Sequence, residues 1–281
     1  MCGASVAGLA LARRSAELAA KVRLDALLTA RGLFETRSRA AASVLAGEVR
    51  IGAHGLRATK PGALVATDVE LAVDEVPRFV SRGGVKLANA LAASGLEVSG
   101  RRCMDVGAST GGFTDCLLAA GAAAVVALDV AYGELSWKLR VDPRVTVIER
   151  FNARELRADA LPYAPEVIVA DLAFISLRTV LAAVLSCAAP RFDALCLVKP
   201  QFEVGRGLVG SGGVVRDAAL RRRALLDVAA AAIEAGASVR GFFPSGLPGP
   251  KGNIETFVAL AEHDRGSLTD LDALAFAADP A

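Results

Sequence analysis

Short apolar segments that recur along residues 102–198 constrain the fold of this 281-residue chain more than any other feature. Five of them have the length of buried strands, at 102–106, 124–130, 145–148, 166–170 and 193–198. Segments with helical character lie at 114–120, 134–140, 177–189 and 217–235. This alternation is typical of a doubly wound α/β fold with a mainly parallel sheet. Two further segments, 239–243 and 256–260, would bring the sheet to seven strands, whereas residues 264–281 look like an irregular tail.

A glycine-rich segment, Asp105 to Thr114, closes the first of these strands. Its three glycines let the backbone approach a ligand at points where any side chain would collide. The segment matches neither the GxGxxG fingerprint nor a phosphate-binding P-loop. Asp129 ends the second strand, where a carboxylate can accept hydrogen bonds from both hydroxyls of a ribose. The pattern therefore predicts a nucleoside-containing cofactor at the carboxyl end of the sheet.

Charge distinguishes two candidate cofactors. A dinucleotide pyrophosphate favours a helix N-terminus with few carboxylates, whereas S-adenosylmethionine carries a sulfonium and an ammonium that favour acids. Asp105, Asp129 and Asp171 follow the first, second and fourth strands and supply three carboxylates. We therefore expect a methyltransferase that uses S-adenosylmethionine rather than a nicotinamide-dependent oxidoreductase.

The turns after the fourth and fifth strands indicate the acceptor. The fourth strand ends in Asp171-Leu172-Ala173-Phe174, which lacks the Asn/Asp-Pro-Pro-aromatic turn of methyltransferases that act on exocyclic amines. Cys196 lies inside the fifth strand, where a buried apolar role is expected rather than attack on a pyrimidine carbon. Lys199 follows that strand and would face the same crevice as Asp171. A lysine desolvated there could orient and deprotonate a hydroxyl, so we expect a hydroxyl acceptor.

The cationic residues are distributed unevenly, although the net charge is only +2. Residues 1–60 carry ten basic and four acidic residues, and the remainder is net negative. Within this segment, helices are predicted at 22–30 and 37–46, followed by short strands near 49–51, 64–65 and 69–73. A basic module of this kind suits an anionic partner, although a solvated charged surface is the simpler alternative. Only six cationic residues are lysines, so each marks a position to inspect: Lys21, Lys60, Lys86, Lys138, Lys199 and Lys251.

The basic module contains a characteristic series of segments: Arg23 to Asp25, Gly32-Leu33, Thr36 to Ser38, Gly47 to Ile51 and Lys60 to Gly62. In these segments it resembles the RNA-binding domain named after ribosomal protein S-four. The resemblance implies a small α+β domain that contacts RNA phosphates through its basic face. The residues expected to bind RNA are Arg23, Arg31, Arg37, Arg39, Arg50 and Lys60.

A set of motifs extends along almost the whole chain: Ser81 to Gly83, Asp105 to Thr114, Asp129, Tyr132-Gly133, Asn152 to Arg154, Asp171 to Ser176, Lys199 to Glu203, Gly212 to Val215 and Pro248 to Glu255. Together they resemble the TlyA family of haemolysin A and ribosomal RNA 2′-O-methyltransferases, whose catalytic domain is similar to FtsJ-type enzymes. The resemblance implies a Rossmann-like class I methyltransferase that methylates the 2′-hydroxyl of cytidine in ribosomal RNA. It also implies ribosomal subunits as partners, without a membrane or a metal.

The same resemblance implies specific site residues. A catalytic tetrad would consist of Lys86, Asp171, Lys199 and Glu255. The residues expected to bind the cofactor are Asp105, Gly107, Ser109, Thr110, Gly111, Gly112, Phe113, Asp129, Asn152 and Asp171. Two other hypotheses remain open from the residues: a haemolysin-like membrane-active protein, and an RNA-binding ribosome factor without catalysis.

Composition limits the remaining possibilities. A mean hydropathy of +0.44 accompanies 22% charged residues, and the apolar runs are too short for a spanning helix of about 20 residues. Five cysteines without a CxxC pair and only two histidines argue against a zinc site and indicate a cytoplasmic protein. We divide the chain into an N-terminal extension (1–20), an RNA-binding domain (21–76), a linker (77–80), a methyltransferase domain (81–263) and a C-terminal tail (264–281).

Overall fold

The computed structural model of the protein describes residues 21–45, 47–73 and 78–279. The chain divides into two compact units, residues 1–76 and residues 77–281. The predicted extension at 1–20 lies outside the described residues, as does Pro77 of the predicted linker. The two units are described separately.

The N-terminal unit packs two short helices against two small antiparallel sheets. The helices are α1 (Leu24–Ala30) and α2 (Arg37–Leu45). Strand β1 (Lys21–Arg23) pairs with β4 (Leu64–Ala66), and β2 (Val49–Ile51) lies between β3 (Leu56–Arg57) and β5 (Leu71–Val73). The core is formed by apolar residues from both helices and from β2, among them Leu24, Leu28, Val44 and Val49. The unit is therefore a small α+β fold, as predicted.

A seven-stranded, mainly parallel sheet organises the second unit. Its strands are β6 (Arg102–Val106), β7 (Ala124–Leu128), β8 (Val145–Ile148), β9 (Val167–Ala170), β10 (Asp193–Val198), β11 (Ala237–Pro244) and β12 (Thr256–Glu262). The order is β11-β12-β10-β9-β6-β7-β8, and β12 runs antiparallel to both of its neighbours, β10 and β11, whereas the other pairs are parallel. The strand order reverses between β6 and β9, and ligands bind at such a switch point in open α/β sheets. The Rossmann-like fold class is confirmed.

Helices cover both faces of this sheet. One face packs against α3 (Arg82–Ser94), α4 (Gly112–Ala119) and α5 (Trp137–Arg140), with Leu87 and Leu117 fully buried. The other face packs against α6 (Leu181–Leu185), α8 (Ala218–Glu234) and α9 (Leu271–Ala278). Because β10 is covered on both sides, it consists of an almost continuous apolar run rather than an alternating one.

The C-terminal segment is not irregular, so that prediction is wrong. Residues 271–278 form α9, whose N-terminus is capped by the Asp270 carboxylate at 3.0 Å from the Ala273 N–H. Its end is held by a buried ion pair in which Arg221 Nε lies 2.6 Å from Asp279 Oδ2. The segment is therefore part of the second unit. The predicted helix at 177–189 is also shorter than expected, because only Leu181–Leu185 is α-helical after a 3₁₀ turn at Leu177–Thr179.

Candidate active site

The ends of neighbouring parallel strands bring together residues that are far apart in sequence. Lys199 directly follows β10 and Asp171 directly follows β9, and Lys199 Nζ lies 2.5 Å from Asp171 Oδ1. Pro200 occupies the first position of the short helix α7 (Pro200–Glu203), which suits proline because that position needs no N–H donor. The strand therefore ends just before Lys199, and the Lys199 side chain stays at the sheet edge beside Asp171.

A second lysine–carboxylate pair lies next to the first. Lys86 of α3 forms an ion pair with Glu255, which directly precedes β12, and both side chains are buried. Lys86 donates to Glu255 Oε2, while Oε1 accepts no hydrogen bond from the described residues. Gly249 makes room for this carboxylate, because a Cβ atom there would lie 2.3 Å from Oε1. The structure thus brings the four predicted catalytic residues together as two pairs.

Lys199 lies on the wall shared by two cavities. One cavity, of about 490 Å³, is lined by Lys86, Asp171, Lys199 and the glycine-rich loop. The other, of about 350 Å³, is lined by Lys199, Glu255, Phe174, Phe202 and Lys251, and we call it the acceptor cavity. A group bound in one cavity can therefore approach a group bound in the other beside Lys199 Nζ.

The predicted cofactor loop lines a third, adjoining cavity of about 440 Å³, together with Asp129 and Asn152. Gly107 has φ +88°, and a Cβ atom there would lie 2.6 Å from the Asp171 carbonyl oxygen, so only glycine fits. The Asp129 carboxylate accepts hydrogen bonds from Ser109 N–H at 2.7 Å and from Ala131 N–H at 2.8 Å. These contacts hold the loop and the end of β7 in one arrangement.

Most of the predicted cofactor residues line these cavities, but two do not. Gly107, Ser109, Asp129, Asn152 and Asp171 line the cavity of about 440 Å³. Thr110, Gly112 and Phe113 line the cavity of about 490 Å³. Gly111 lies instead against Leu139, since a Cβ atom there would come within 2.2 Å of Leu139 Cδ1.

Asp105 is also absent from the cavity walls, and it is fully buried. It accepts a hydrogen bond from Thr114 Oγ1 at 2.7 Å, and burial raises its pKa to about 7. The expectation that Asp105 faces the cofactor as a carboxylate is therefore corrected. Glu134, which the sequence reasoning missed, lines the cavity with Asp129 and lies 3.2 Å from Ser109 Oγ.

Glu203 is a buried carboxylate that sequence reasoning did not single out. It accepts a hydrogen bond from Leu177 N–H at 2.8 Å and another from the Ser176 hydroxyl. Arg178 Nε lies 3.4 Å from the same carboxylate. Glu203 belongs to α7 after Lys199, whereas Ser176 ends the loop that starts at Asp171, so this network fixes the two loops relative to each other. The sequence carries no clear signal for this burial, because α7 is only four residues long and shows no apolar periodicity.

An aromatic pair borders the acceptor cavity. Phe174 is 92% exposed, and its ring centroid lies 5.5 Å from that of Phe202. Its φ of +65° is unusual for a bulky residue, and such backbone conformations concentrate at functional sites. Cys196, in contrast, is 1% exposed, and burial raises the pKa of its thiol to about 12, which fits the predicted apolar role.

The six predicted RNA-binding residues fall into two groups in the N-terminal unit. Some are held by internal partners: Arg23 and Arg37 pair with Asp25, and Arg31 donates to the carbonyls of Thr67 and Val69. The Arg23 guanidinium, with that of Arg37, lowers the pKa of Asp25 to about 2. Arg39 and Lys60 are exposed, and Arg50 is half-buried in β2. Arg31 and Arg37 therefore direct their guanidinium groups to different partners within the unit.

Among residues 21–45, 47–73 and 78–279, no helix is long and apolar enough to cross a membrane. Within the same ranges, no group of three or more histidine, cysteine or carboxylate side chains is arranged to hold a metal ion.

Comparisons with known proteins agree with this geometry. A family model described as FtsJ-like methyltransferase matches residues 79–262. The chain is 52% identical to the 16S/23S rRNA (cytidine-2′-O)-methyltransferase TlyA of Mycobacterium tuberculosis, covering 86% of this chain and 91% of that protein. It is 38% identical to Hemolysin A of Brachyspira hyodysenteriae, covering 83% of this chain and 97% of that protein.

A solved structure from Streptococcus thermophilus, provisionally named a hemolysin, is similar in fold. It aligns with a TM-score of 0.70 at 39% identity, covering 92% of this chain and 96% of that one. The similarity to relatives therefore extends over both units rather than over the methyltransferase domain alone. The chain belongs to the TlyA family, with an FtsJ-like methyltransferase domain at residues 79–262.

Proposed function

We propose that the protein transfers a methyl group from S-adenosylmethionine to the ribose 2′-oxygen of a cytidine in ribosomal RNA. The observation that carries this proposal is the pair Lys199–Asp171, which lies on the boundary between the cofactor loop and the acceptor cavity. The choice of cytidine and of ribosomal RNA rests on the name of the Mycobacterium tuberculosis relative. Ribosomal RNA as the substrate implies that the protein acts in the cytoplasm.

The residues around the cofactor loop fit S-adenosylmethionine. The cavity of about 440 Å³ is lined by three carboxylates, Asp129, Glu134 and Asp171, and by a single cation, Arg154. Such a lining favours a ligand with positive charges and disfavours a pyrophosphate. Its apolar residues, Leu128, Val130, Phe151, Leu172, Ile175 and Val180, suit an adenine ring. Asp129 would hold the ribose hydroxyls, and the bare backbone at Gly107 would allow close approach.

When bound, S-adenosylmethionine supplies an electrophilic methyl group on a positively charged sulfur. Lys199 Nζ, acting as a neutral amine, would accept the proton of the 2′-hydroxyl, and the Asp171 carboxylate 2.5 Å away would stabilise the ammonium that forms. Lys86 holds Glu255 through Oε2, which leaves Oε1 free to accept a hydrogen bond from a ribose hydroxyl. The two pairs would therefore orient the acceptor oxygen, and orientation can contribute roughly 7–11 kcal/mol to catalysis.

Two other acceptor classes fit the site less well. Methylation of an exocyclic amine would use a proline-rich turn after β9, but this chain has Asp171-Leu172-Ala173-Phe174 there. Methylation of a pyrimidine carbon would need a thiolate nucleophile, and the buried thiol of Cys196 is held protonated by its raised pKa of about 12. A hydroxyl acceptor needs neither feature.

The basic residues of the N-terminal unit would supply affinity for the RNA backbone. Arg39 and Lys60 are exposed, and the chain's excess of positive charge lies in residues 1–60. Contacts to phosphates are independent of sequence, so the fold of the RNA and an accessible target nucleotide would determine the site of methylation.

The test is to incubate the protein with radiolabelled S-adenosylmethionine and unmodified small or large ribosomal subunits, and then to digest the RNA with alkali. A 2′-O-methyl group blocks alkaline cleavage, so we expect label in alkali-resistant dinucleotides whose first nucleoside is cytidine. Label that appears only in ordinary mononucleotides would show base methylation and overturn the proposal. Assaying the two subunits separately identifies which of them is the substrate.

A further inference from the structure

Lys251 is a lysine of the second unit that the two catalytic pairs do not use. It lies in the segment between β11 and β12, four residues before Glu255. Its exposed side chain lines the acceptor cavity together with Lys199, Glu255 and Phe174. Lysine is rare in this arginine-rich chain, and this one borders the cavity where the substrate would bind.

The charges that line the acceptor cavity are compensated except at Lys251. Lys199 is paired with Asp171, and Glu255 is paired with Lys86. Among the residues that the structure describes, Lys251 forms no ion pair with a carboxylate. The wall of the acceptor cavity therefore carries one uncompensated positive charge, which is available to an anionic ligand.

The surroundings of Lys251 are fixed by Asn253. The Asn253 amide donates to the Gly213 carbonyl at 2.8 Å, and its oxygen accepts from Val215 N–H at 3.0 Å. This buried bridge joins the loop of residues 210–215 to the loop that carries Lys251 and Glu255. A Cβ atom at Gly213 would lie 3.4 Å from Lys251 Nζ, so glycine leaves the space beside the ammonium open.

Resting on the proposed function, we propose that Lys251 binds the phosphodiester group of the RNA next to the methylated ribose. In RNA the 3′-phosphate is attached to the carbon adjacent to the one that bears the 2′-hydroxyl. A cavity that presents the 2′-oxygen to Lys199 must therefore also accommodate a phosphate close by. A lysine ammonium suits this role because it acts as a compact point charge for phosphate and requires no planar partner.

The test compares Lys251→Gln with Arg191→Gln, which removes the same charge from an exposed side chain that precedes β10 at the opposite end of the sheet. Transfer to ribosomal subunits is measured as alkali-resistant label over a series of salt concentrations, and S-adenosylmethionine affinity is measured by titration. We expect Lys251→Gln to raise KM for the RNA roughly tenfold at low salt. It should also reduce the slope of log KM against log salt by about 0.7, while Arg191→Gln changes neither quantity.

Other outcomes separate the failure of this inference from the failure of the proposed function. If the wild-type protein produces no alkali-resistant label, the proposed function fails and the inference fails with it. If the wild type is active and Lys251→Gln keeps the wild-type KM and salt slope, only the inference is overturned. Lys251→Arg keeps the charge and should restore most of the affinity. A KM for Lys251→Arg as high as that of Lys251→Gln, with unchanged thermal unfolding midpoints, would also contradict the inference.

Discussion

Gly249 offers a way to disturb the Lys86–Glu255 pair without changing either side chain. Its backbone is outside the positive-φ region, so alanine introduces no backbone strain at this position. The added Cβ atom would lie 2.3 Å from Glu255 Oε1, whereas ordinary van der Waals contact begins near 3.4 Å. The substitution Gly249→Ala therefore forces the Glu255 carboxylate to move by about 1 Å.

The size of the effect follows from the burial of the pair. A misplacement of about 1 Å in a catalytic arrangement can reduce the rate roughly 100-fold. Complete separation of a buried pair costs about 3–5 kcal/mol of folding free energy, which sets the upper limit for destabilisation by Gly249→Ala. We expect kcat/KM for ribosomal RNA to fall roughly 100-fold, with a smaller loss of stability, because Glu255 can shift without leaving Lys86.

The matched control is Gly207→Ala, because a Cβ atom at Gly207 has no neighbour within 4 Å and its φ is not positive. Both variants are assayed by alkali-resistant label at several RNA concentrations, by titration with S-adenosylmethionine and by thermal unfolding. Only Gly249→Ala should lose transfer activity, and both should bind S-adenosylmethionine as the wild type does. Equal kcat/KM for the two variants would refute the assigned role of the Glu255 position.

Three further predictions concern residues around the site and on the N-terminal unit. Glu203→Gln can keep its amide oxygen on Leu177 N–H, but its NH2 group then faces the Arg178 guanidinium and the ion pair is lost, so it should lower the free energy of unfolding by about 1–3 kcal/mol in denaturant titrations and reduce kcat, whereas unchanged stability would argue against the network. The pKa of Asp105 is raised to about 7 from about 4 in unfolded chains, so the native state binds the extra proton and stability falls as the pH rises between these values. Asp105→Asn should flatten that decline in unfolding measured from pH 5 to pH 8, and a parallel decline in the variant would contradict the assignment. Arg39→Gln should reduce the salt slope of RNA binding by about 0.7 without changing S-adenosylmethionine affinity, and an unchanged slope would exclude a phosphate contact.

The architecture of the second unit could be predicted because its strands are buried on both faces. Segments such as 193–198 contain an uninterrupted apolar run, so their position and length are visible in the sequence. The same regularity places Asp129, Asp171 and Lys199 at one edge of the sheet, since the carboxyl ends of parallel strands meet there. Helix α9 was not predicted, although its sequence indicates a helix. Asp270 is a favourable N-cap residue, and the apolar residues Leu271, Leu274, Ala275 and Ala278 recur at helical spacing.

The details of the site depend on contacts that spacing does not reveal. Lys86 and Glu255 are 169 residues apart, and only the resemblance to a known family placed them together. Asp105 stands one residue before the end of β6 and points into the protein, whereas Asp129 follows the end of β7 and reaches the cavity. Asp105 pairs with Ala127 of β7, so it lies inside the sheet, two residues short of the level of Asp129, and is covered by Thr114 of α4. The hydrogen-bond network around the buried Glu203 carboxylate likewise depends on how the two loops pack against each other.

The central claim is that Lys199, held by Asp171, removes the proton from the acceptor hydroxyl. The direct measurement is the single-turnover rate of label transfer to the 2′-oxygen by Lys199→Ala, with S-adenosylmethionine affinity measured on the same preparation. We predict that transfer falls below detection while affinity stays within a few-fold of the wild type, because the cofactor cavity of about 440 Å³ does not include Lys199. A rate within tenfold of the wild type would contradict the claim.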